Sequence, residues 1–289
     1  MRNRSARKLA AALALTAVIG AACGSDSNSA VDSANGNDTP AAADAKDSLG
    51  LGTDTGASTL QAGLTSLLQE HVYLAGTATG TALSTGLDSE ATKGAVDTLD
   101  ENSVALADAI GSVYGDAAGD QFLELWRKHI GFFVDYTKAK AGNDAAAAQK
   151  ALADLDGYRN DFGAFLSSAN PNLTKQAVAD SLVPHIKTLS AAIDAQVAKD
   201  PSAFSKLRIA AQEMPKEASI LAGAIVKQKS DMFDGSIDAG AAQLRQGLTN
   251  LLQEHVYLAG TATGTALSTG LDSEATKGAV DTLDENSVA

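Results

Sequence analysis

The chain has 289 residues, of which 45% are apolar and 4% aromatic, and it carries 35 acidic against 22 basic residues. A single cysteine excludes a framework of internal disulfides, and a net charge of −13 leaves no basic surface for nucleic acid. No internal run approaches the length of about 18 apolar residues that a membrane-spanning helix needs, which excludes a multi-pass membrane protein.

Residues 1–22 are typical of a secretory signal peptide. They begin with a positively charged stretch, continue with an apolar segment from Leu9 to Ile19, and end in small residues before Cys23. Because the only cysteine lies at the cleavage point, the segment resembles a bacterial lipoprotein signal, which implies cleavage before Cys23 and lipidation of its thiol and amine. An ordinary signal or an uncleaved anchor is the alternative. We therefore expect a lipid-anchored protein on the extracytoplasmic face of the cell membrane.

Residues 23–56 are expected to form a lipid-anchored, disordered linker. After the cysteine they consist mostly of Gly, Ser, Asp, Asn, Ala and Thr, without an aromatic residue, and they bury too little apolar surface to offset the entropy of ordering. Removing the signal, which carries four basic and no acidic residues, lowers the net charge from −13 to −17. Such a surface is repelled by anionic lipid, so the lipid on Cys23 has to hold the chain at the membrane.

Residues 57–230 are predicted to form an all-α domain. Apolar residues recur at alternating spacings of three and four around His71, His129 and His185, which lie 58 and 56 residues apart. Each of these segments is followed by a second segment with helical periodicity, so the repeating unit is a helical hairpin. Three hairpins predict a six-helix bundle with packing like that of ferritin and four-helix bundles.

Turn residues and prolines predict the helix ends and kinks of this domain. Asp144 follows a Gly-Asn turn and is a predicted N-cap. Pro184 and Pro215 lie inside predicted helices and predict kinks there. Gly76 and Gly80, four residues apart in the first helix, predict a close approach of a second helix.

A long repeat extends beyond this domain. Leu64–Ala105 and Leu248–Ala289 are identical at all but one of 42 positions, at an offset of 184 residues. The exception is Ser66, which is replaced by Asn250. After a linker at 231–243, we therefore predict a partial copy of the first hairpin at 244–289.

The partial copy is expected to lack a core of its own. Its apolar residues Leu248, Leu251, Leu252 and Val256 would then form an exposed surface that favours self-association or a protein partner. On this interpretation the segment is an appendage, and we expect its deletion to leave the melting temperature of the domain unchanged.

The three histidines are candidate metal ligands because each lies in an apolar stripe and points inward. A lone buried histidine is usually structural and bonds a carbonyl or hydroxyl. Three at equivalent positions of three hairpins converge if the hairpins close into one bundle. Nitrogen atoms roughly 4 Å apart would indicate a metal site, and separations beyond about 10 Å would exclude one, given ligand bonds of about 2 Å.

The ligand set that the sequence offers is rich in imidazole. No Glu-x-x-His or His-x-x-x-His pattern is present, which argues against di-iron and zinc-protease sites. Imidazoles suit copper, zinc or nickel, or haem through an axial histidine. The even-numbered helices supply Asn102, Tyr158 and Glu213 as further candidate ligands.

Several motifs resemble an uncharacterised family of secreted bacterial helical proteins, chiefly Leu125-Trp-Arg-Lys-His129 and Phe165-Leu-Ser-Ser-Ala-Asn170-Pro171. Members of that family carry His on alternate helices and the phrase F-L-S-S-x-N-P. Some are labelled after copper amine oxidases because of a neighbouring small domain that is not visible in this chain, so the resemblance implies a link to copper and not oxidase activity. Relatives often have Asn in place of Tyr158 and His in place of Glu213.

The leading functional hypothesis is a non-catalytic, lipid-anchored binding protein that holds a transition metal, copper among them, or haem through His71, His129 and His185. A structural or protein-interaction lipoprotein is the second hypothesis. A ferritin-like redox enzyme is the third, and the missing carboxylate ligands argue against it.

Overall fold

The computed structural model describes residues 52–289, and every regular element in that range is an α-helix, which confirms the all-α prediction. The helices of this range are α1 (Gly56–Thr85), α2 (Glu90–Tyr114), α3 (Asp116–Ala141), α4 (Ala145–Ala169), α5 (Lys175–Ala198), α6 (Ala203–Gln212), α7 (Met214–Gln228), α8 (Gly240–Thr269) and α9 (Glu274–Ser287). None of them combines the length and apolar character needed to span a membrane. The predictions for the signal, Cys23 and the linker up to residue 51 lie outside the described residues.

Helix α1 lies at the centre of the bundle. Consecutive helices from α1 to α6 pack side by side in chain order, and α7 returns to pack along α1. Helix α1 also contacts α5, α6 and α8. It therefore has neighbours on opposite faces, and each face is fixed by a different set of helices.

The predicted hairpins are present, with one difference in the third. The predicted sixth helix is divided at Glu213 into α6 and α7, because the ring of Pro215 disfavours an uninterrupted helix. Helix α5, in contrast, continues through Pro184. The predicted close approach at Gly76 is confirmed, since a Cβ atom there would lie 2.5 Å from the side chain of Leu207 on α6.

The helix ends follow the expected capping chemistry where side chains supply it. Asp144 accepts a hydrogen bond from the backbone N–H of Ala147 at 2.9 Å, which confirms it as the N-cap of α4. Gly86 ends α1 with a φ of +101°, a conformation that side chains with a Cβ rarely adopt. These ends allow α1 and α2, and α3 and α4, to pack as tight hairpins.

The partial repeat is integrated into the fold. The described residues belong to one compact unit, and α8 and α9 pack against α1 and α6. Leu258 on α8 is buried with 4% of its surface exposed, and the fully buried Glu254 pairs with Arg208 at 2.6 Å. The expectation that the segment is a dispensable appendage is therefore corrected. The apolar spacing of the repeat does not indicate that α8 packs through the flank of the helix opposite to its apolar stripe.

The expected apolar surface is nevertheless present on the outer side of α8. Leu252 and Val256 are 64% and 67% exposed, and Leu248 is about half exposed. Leu251 is only partly buried. The partial repeat thus packs through one face and leaves its apolar stripe in contact with solvent.

Deletion of residues 235–289 is expected to lower the melting temperature by at least about 5 °C, because it removes the packing of Leu258 and leaves Arg208 without its buried carboxylate. Thermal unfolding followed by circular dichroism measures the change. Leu258→Ala should reproduce part of the loss and Leu252→Ala, on the exposed face, should not. An unchanged melting temperature after deletion would return the segment to the status of an appendage.

Candidate metal centre

The histidines of the three hairpins converge in the interior. His71 on α1, His129 on α3 and His185 on α5 are all buried, and one potential ligand atom from each lies within 4.8 Å of the others. The Nε2 atoms of His71 and His129 are 3.2 Å apart, and the ring centroids of His71 and His185 are 6.4 Å apart. The hypothesis that the rings face a common interior is confirmed.

Aromatic side chains hold the imidazoles in place. The ring of Trp126 lies 4.8 Å from that of His71 and 4.5 Å from that of His129. Tyr158 stacks on His129 at 4.9 Å with an interplanar angle of 26°, and Phe133 contacts His185 edge-on at 5.9 Å. The spacing of the apolar stripes on α3 and α4 brings these rings to the level of the histidines, so aromatic packing orients the trio together with the hydrogen bond between His71 and His129.

The imidazoles make few of the hydrogen bonds that buried histidines ordinarily make. The Nε2 atoms of His71 and His129 pair with each other, and His129 has a backbone hydrogen bond with Trp126. The Nδ1 atoms of His71 and His185 have no hydrogen-bond partner. A buried polar atom without a partner costs about 1–3 kcal/mol, and such atoms are rare in native proteins. Histidines that bind a metal ordinarily satisfy this second nitrogen as well, so these atoms are a cost in stability, and the case for a ligand rests on the convergence of the three rings.

The trio is neutral at physiological pH. Burial and the nearby His185 lower the pKa of His71 to about 3, and burial lowers the pKa of His185 to about 4. Burial, with repulsion from the other two rings, also lowers the pKa of His129 well below its usual range. Neutral imidazoles keep a lone pair for a metal ion, so protons do not compete with the ion near pH 7.

A small cavity borders two of the three histidines, His129 and His185. It has a volume of about 40 Å³, and its walls are mostly aliphatic and aromatic, with His129, His185, Tyr158, Ser181 and Glu217 as its polar residues. Pockets for organic ligands usually have volumes of about 300–1,000 Å³, so there is no space for a porphyrin. The geometry favours a single ion over the haem that the sequence left open.

Glu217 on α7 is the carboxylate that sequence reasoning missed. It is buried, accepts a hydrogen bond from the hydroxyl of Ser181 at 2.9 Å, and lines the cavity. Burial raises its pKa, and the Ser181 bond partly counteracts that effect. Its position three residues after Met214 and four before Leu221 places it on the apolar stripe of α7, which is the signal that could have identified it.

The structure places the further candidate ligands Tyr158 and Glu213 differently with respect to the cavity. Tyr158 lies at the site, and its buried hydroxyl has no hydrogen-bond partner. Glu213 is only partly buried at the junction of α6 and α7 and does not line the cavity. The carboxylate at the cavity is Glu217, one helical turn further along the chain, so Glu213 is replaced as the acidic candidate.

Asn102 has a different role from the one expected. Its amide donates to the carbonyl of Leu67 at 3.1 Å and to the carboxylate of Glu70 at 2.8 Å. Glu70 in turn accepts a hydrogen bond from Tyr257 on α8 at 3.0 Å, so this network lies on the side of α1 that faces α8. Asn102 joins α2 to α1 and does not line the cavity beside the histidines.

Comparison of the chain with protein-family models, with curated proteins and with solved structures gave no match. The resemblance to secreted bacterial helical proteins stays a prediction, and the chemistry of the site rests on its own geometry.

The arrangement provides three neutral nitrogen donors in an enclosed, largely apolar space. Tetrahedral coordination with bonds of 2.0–2.1 Å requires nitrogen atoms about 3.4 Å apart. The pair formed by His71 and His129 already meets this distance, and the widest separation in the trio has to close by about an ångström. Among the described residues, no carboxylate belongs to this cluster, which is unlike the ligand set of a ferritin-like di-iron site.

The metal-free protein should lose stability as the pH falls from 6.5 toward 4. In that range the unfolded chain protonates its histidines and the folded chain does not, because the folded pKa values are lowered. Each buried ring then reduces the free energy of unfolding by about 1.4 kcal/mol per pH unit. Urea unfolding in the presence of a chelator, repeated at several pH values, measures the slope.

Two variants isolate this effect from the titration of carboxylates. His185→Gln should make the slope shallower by the share of one histidine. His129→Gln should do the same, because burial also lowers the pKa of His129. Equal slopes for wild type and His185→Gln would contradict the neutral, buried state of the trio.

Proposed function

We propose that this protein is a lipid-anchored, extracytoplasmic protein that binds one transition-metal ion through His71, His129 and His185. The observation that carries the proposal is the convergence of three buried imidazoles to within 4.8 Å. The membrane anchor rests on the signal-like segment and Cys23 of the sequence. Imidazole ligands favour copper, zinc or nickel.

The charge of the site favours copper(I) among these ions. A cation in an apolar interior needs a nearby opposite charge, and the one carboxylate that lines the adjoining cavity is that of Glu217, which lies outside the histidine cluster itself. Three neutral imidazoles with a monovalent ion and one carboxylate sum to zero charge. A divalent ion would leave a net positive charge in the same space.

A protein whose histidines only pack is the competing function. The tight aromatic contacts of the trio are compatible with it, because rings of this kind also fill cores. The convergence of one ring nitrogen from each of the three histidines to within 4.8 Å favours metal binding. Metal titration separates the two.

The chain from Gly24 onward should bind one ion more tightly than micromolar, with copper(I) tested beside copper(II), zinc and nickel. His129→Ala should weaken binding by at least about 100-fold, because removing a direct ligand is expected to cost at least as much as removing its supporting partner. Competition with a chromophoric chelator measures the affinity, and circular dichroism checks that the variant remains folded.

The repeat supplies a matched control for this experiment. His71 and His255 lie in the same sequence, Gln-Glu-His-Val-Tyr-Leu, but His255 is exposed on α8 and far in sequence from any second histidine. His71→Ala should abolish tight binding and His255→Ala should leave it intact. If none of the four ions binds more tightly than micromolar, or if His129→Ala binds like wild type, the histidines have only a packing role.

The membrane anchor has a separate test. When the full chain is expressed in a bacterium supplied with a labelled fatty acid, the label should appear on the protein and it should sediment with membranes. Cys23→Ser should lose the label, whereas Ser25→Ala, two residues away, should keep it. A wild-type protein without label would exclude the lipoprotein prediction and leave the metal proposal untouched.

A further inference from the structure

Helices α1 and α8 pack parallel and in register through a polar seam. The hydroxyl of Ser66 donates to Gln253 at 2.7 Å, and the amide of Gln69 donates to Asn250 at 2.7 Å. The rings of Tyr73 and Tyr257 stack at 5.0 Å with an interplanar angle of 9°. The two bonded pairs are separated by 187 and 181 residues, which are values on either side of the 184-residue offset of the repeat.

The seam has the pairing pattern of a symmetric dimer. Under the offset, Ser66 corresponds to Asn250, Gln69 to Gln253 and Tyr73 to Tyr257. Ser66 therefore bonds the counterpart of Gln69, and Gln69 bonds the counterpart of Ser66. Tyr73 stacks on its own counterpart. Reciprocal pairs of this kind define an isologous interface, here with a twofold axis that runs along the two helices.

Helix α6 covers one side of this interface. Arg208 bonds Glu254 of α8 at 2.6 Å and Glu285 of α9 at 3.0 Å. A Cβ atom at Gly278 on α9 would lie 2.8 Å from the carbonyl oxygen of Pro201, so α9 fits against the start of α6 only because this residue is glycine.

The first hairpin carries the same surface without the same cover. Glu70, Gly94 and Glu101 correspond to Glu254, Gly278 and Glu285. A Cβ atom at Gly94 would meet nothing within 4 Å, and Glu101 is exposed. The surface that receives α6 on the second hairpin is thus open on the first.

We propose that the hairpin α1–α2 is a self-recognition surface whose partner is the same hairpin of a second copy of this chain, and that α8–α9 occupies that surface in cis. In the dimer, Tyr73 stacks on Tyr73 of the partner subunit, and Arg208 of each chain binds Glu70 and Glu101 of the other. The proposal does not depend on the metal site.

Two factors set the balance between the cis form, in which α8–α9 packs on α1 of the same chain, and the dimer. They are the tether that joins α8–α9 to the rest of the chain and the number of contacts made by α6. The cis form has one set of α6 contacts, and its tether gives α8–α9 a high effective concentration at α1. The dimer has two sets of α6 contacts, one from each chain. Weakening α8–α9 alone should therefore move the chain from monomer to dimer, because the face of α1 is left intact.

The test changes the second hairpin and spares the first. In the chain from Gly24 onward, Glu254→Lys places a positive charge against Arg208, and Tyr257→Glu places a negative charge against Glu70. Sedimentation should show the mass of this double variant doubling as concentration rises. Adding Tyr73→Glu, which sets two carboxylates face to face at the dimer axis, should return it to a monomer.

Cross-linking identifies the face that is used. Because Cys23 is the only cysteine of the chain, Tyr73→Cys in the double variant introduces a single thiol, which a short thiol cross-linker should join to its counterpart in the second copy. Val256→Cys in the same background tests the exposed apolar face of α8. A double variant that remains a monomer, or a dimer that cross-links through position 256 and not through 73, would overturn the proposal.

If the double variant loses helicity, a single cysteine in the otherwise unchanged chain still tests the proposal. Tyr73→Cys in the otherwise unchanged chain has its thiol covered by α8, since Tyr73 is almost fully buried. Covalent dimers then form only when α8 gives way to a second copy. Their accumulation supports self-recognition, and their absence under conditions that label the thiol with a small reagent counts against it.

Discussion

The burial of α1 on opposite faces is the constraint on which the rest of the structure depends. One face carries Leu64, Leu68 and His71 into the interior, against α3, α5 and α7. The other carries Ser66, Gln69 and Tyr73 to α8. Both sets of residues belong to the same rigid helix. A shift of α1 that changed its contacts with α8 would therefore also move His71 relative to His129.

The site is a part of the core and takes its rigidity from the core. Trp126 contacts both His71 and His129, and Tyr158 stacks on His129 from the adjacent helix. Rings packed in this way move only if their neighbours move, so the pair formed by His71 and His129 is in place before an ion arrives, and His185 is the ring that has to approach. Such preorganisation limits which ions fit and reduces the reorganisation that binding costs.

The trio itself could be predicted from the sequence because it rests on two simple regularities. The spacing of apolar residues fixes which side of each helix points inward, and the recurrence of the hairpin puts His71, His129 and His185 at equivalent levels. The choice between Glu213 and Glu217 depends in addition on where the predicted sixth helix breaks, because the apolar spacing that selects Glu217 is counted within α7. Both lie near the break before Pro215, and only the direction of α7 after that break decides which one reaches the cavity.

The fate of the second hairpin could not be predicted, because identical residues have opposite environments in the two copies. Val72 is fully buried, whereas its equivalent Val256 is 67% exposed; Glu70 is partly exposed, whereas Glu254 is fully buried. Local sequence specifies the helix and both of its faces. Which face is covered depends on the helices that are available to cover it.

The hairpin tolerates both environments because its internal contacts are complete without them. Asn102 and Asn286 make the same pair of bonds from the second helix of each copy to the first. The turns before those helices are closed by the same serine cap in both copies. A unit that is held together in this way can present either flank to a partner. Among the described residues, the first copy has α3 and α5 beside its histidine and the second does not, so His71 joins the trio and His255 does not.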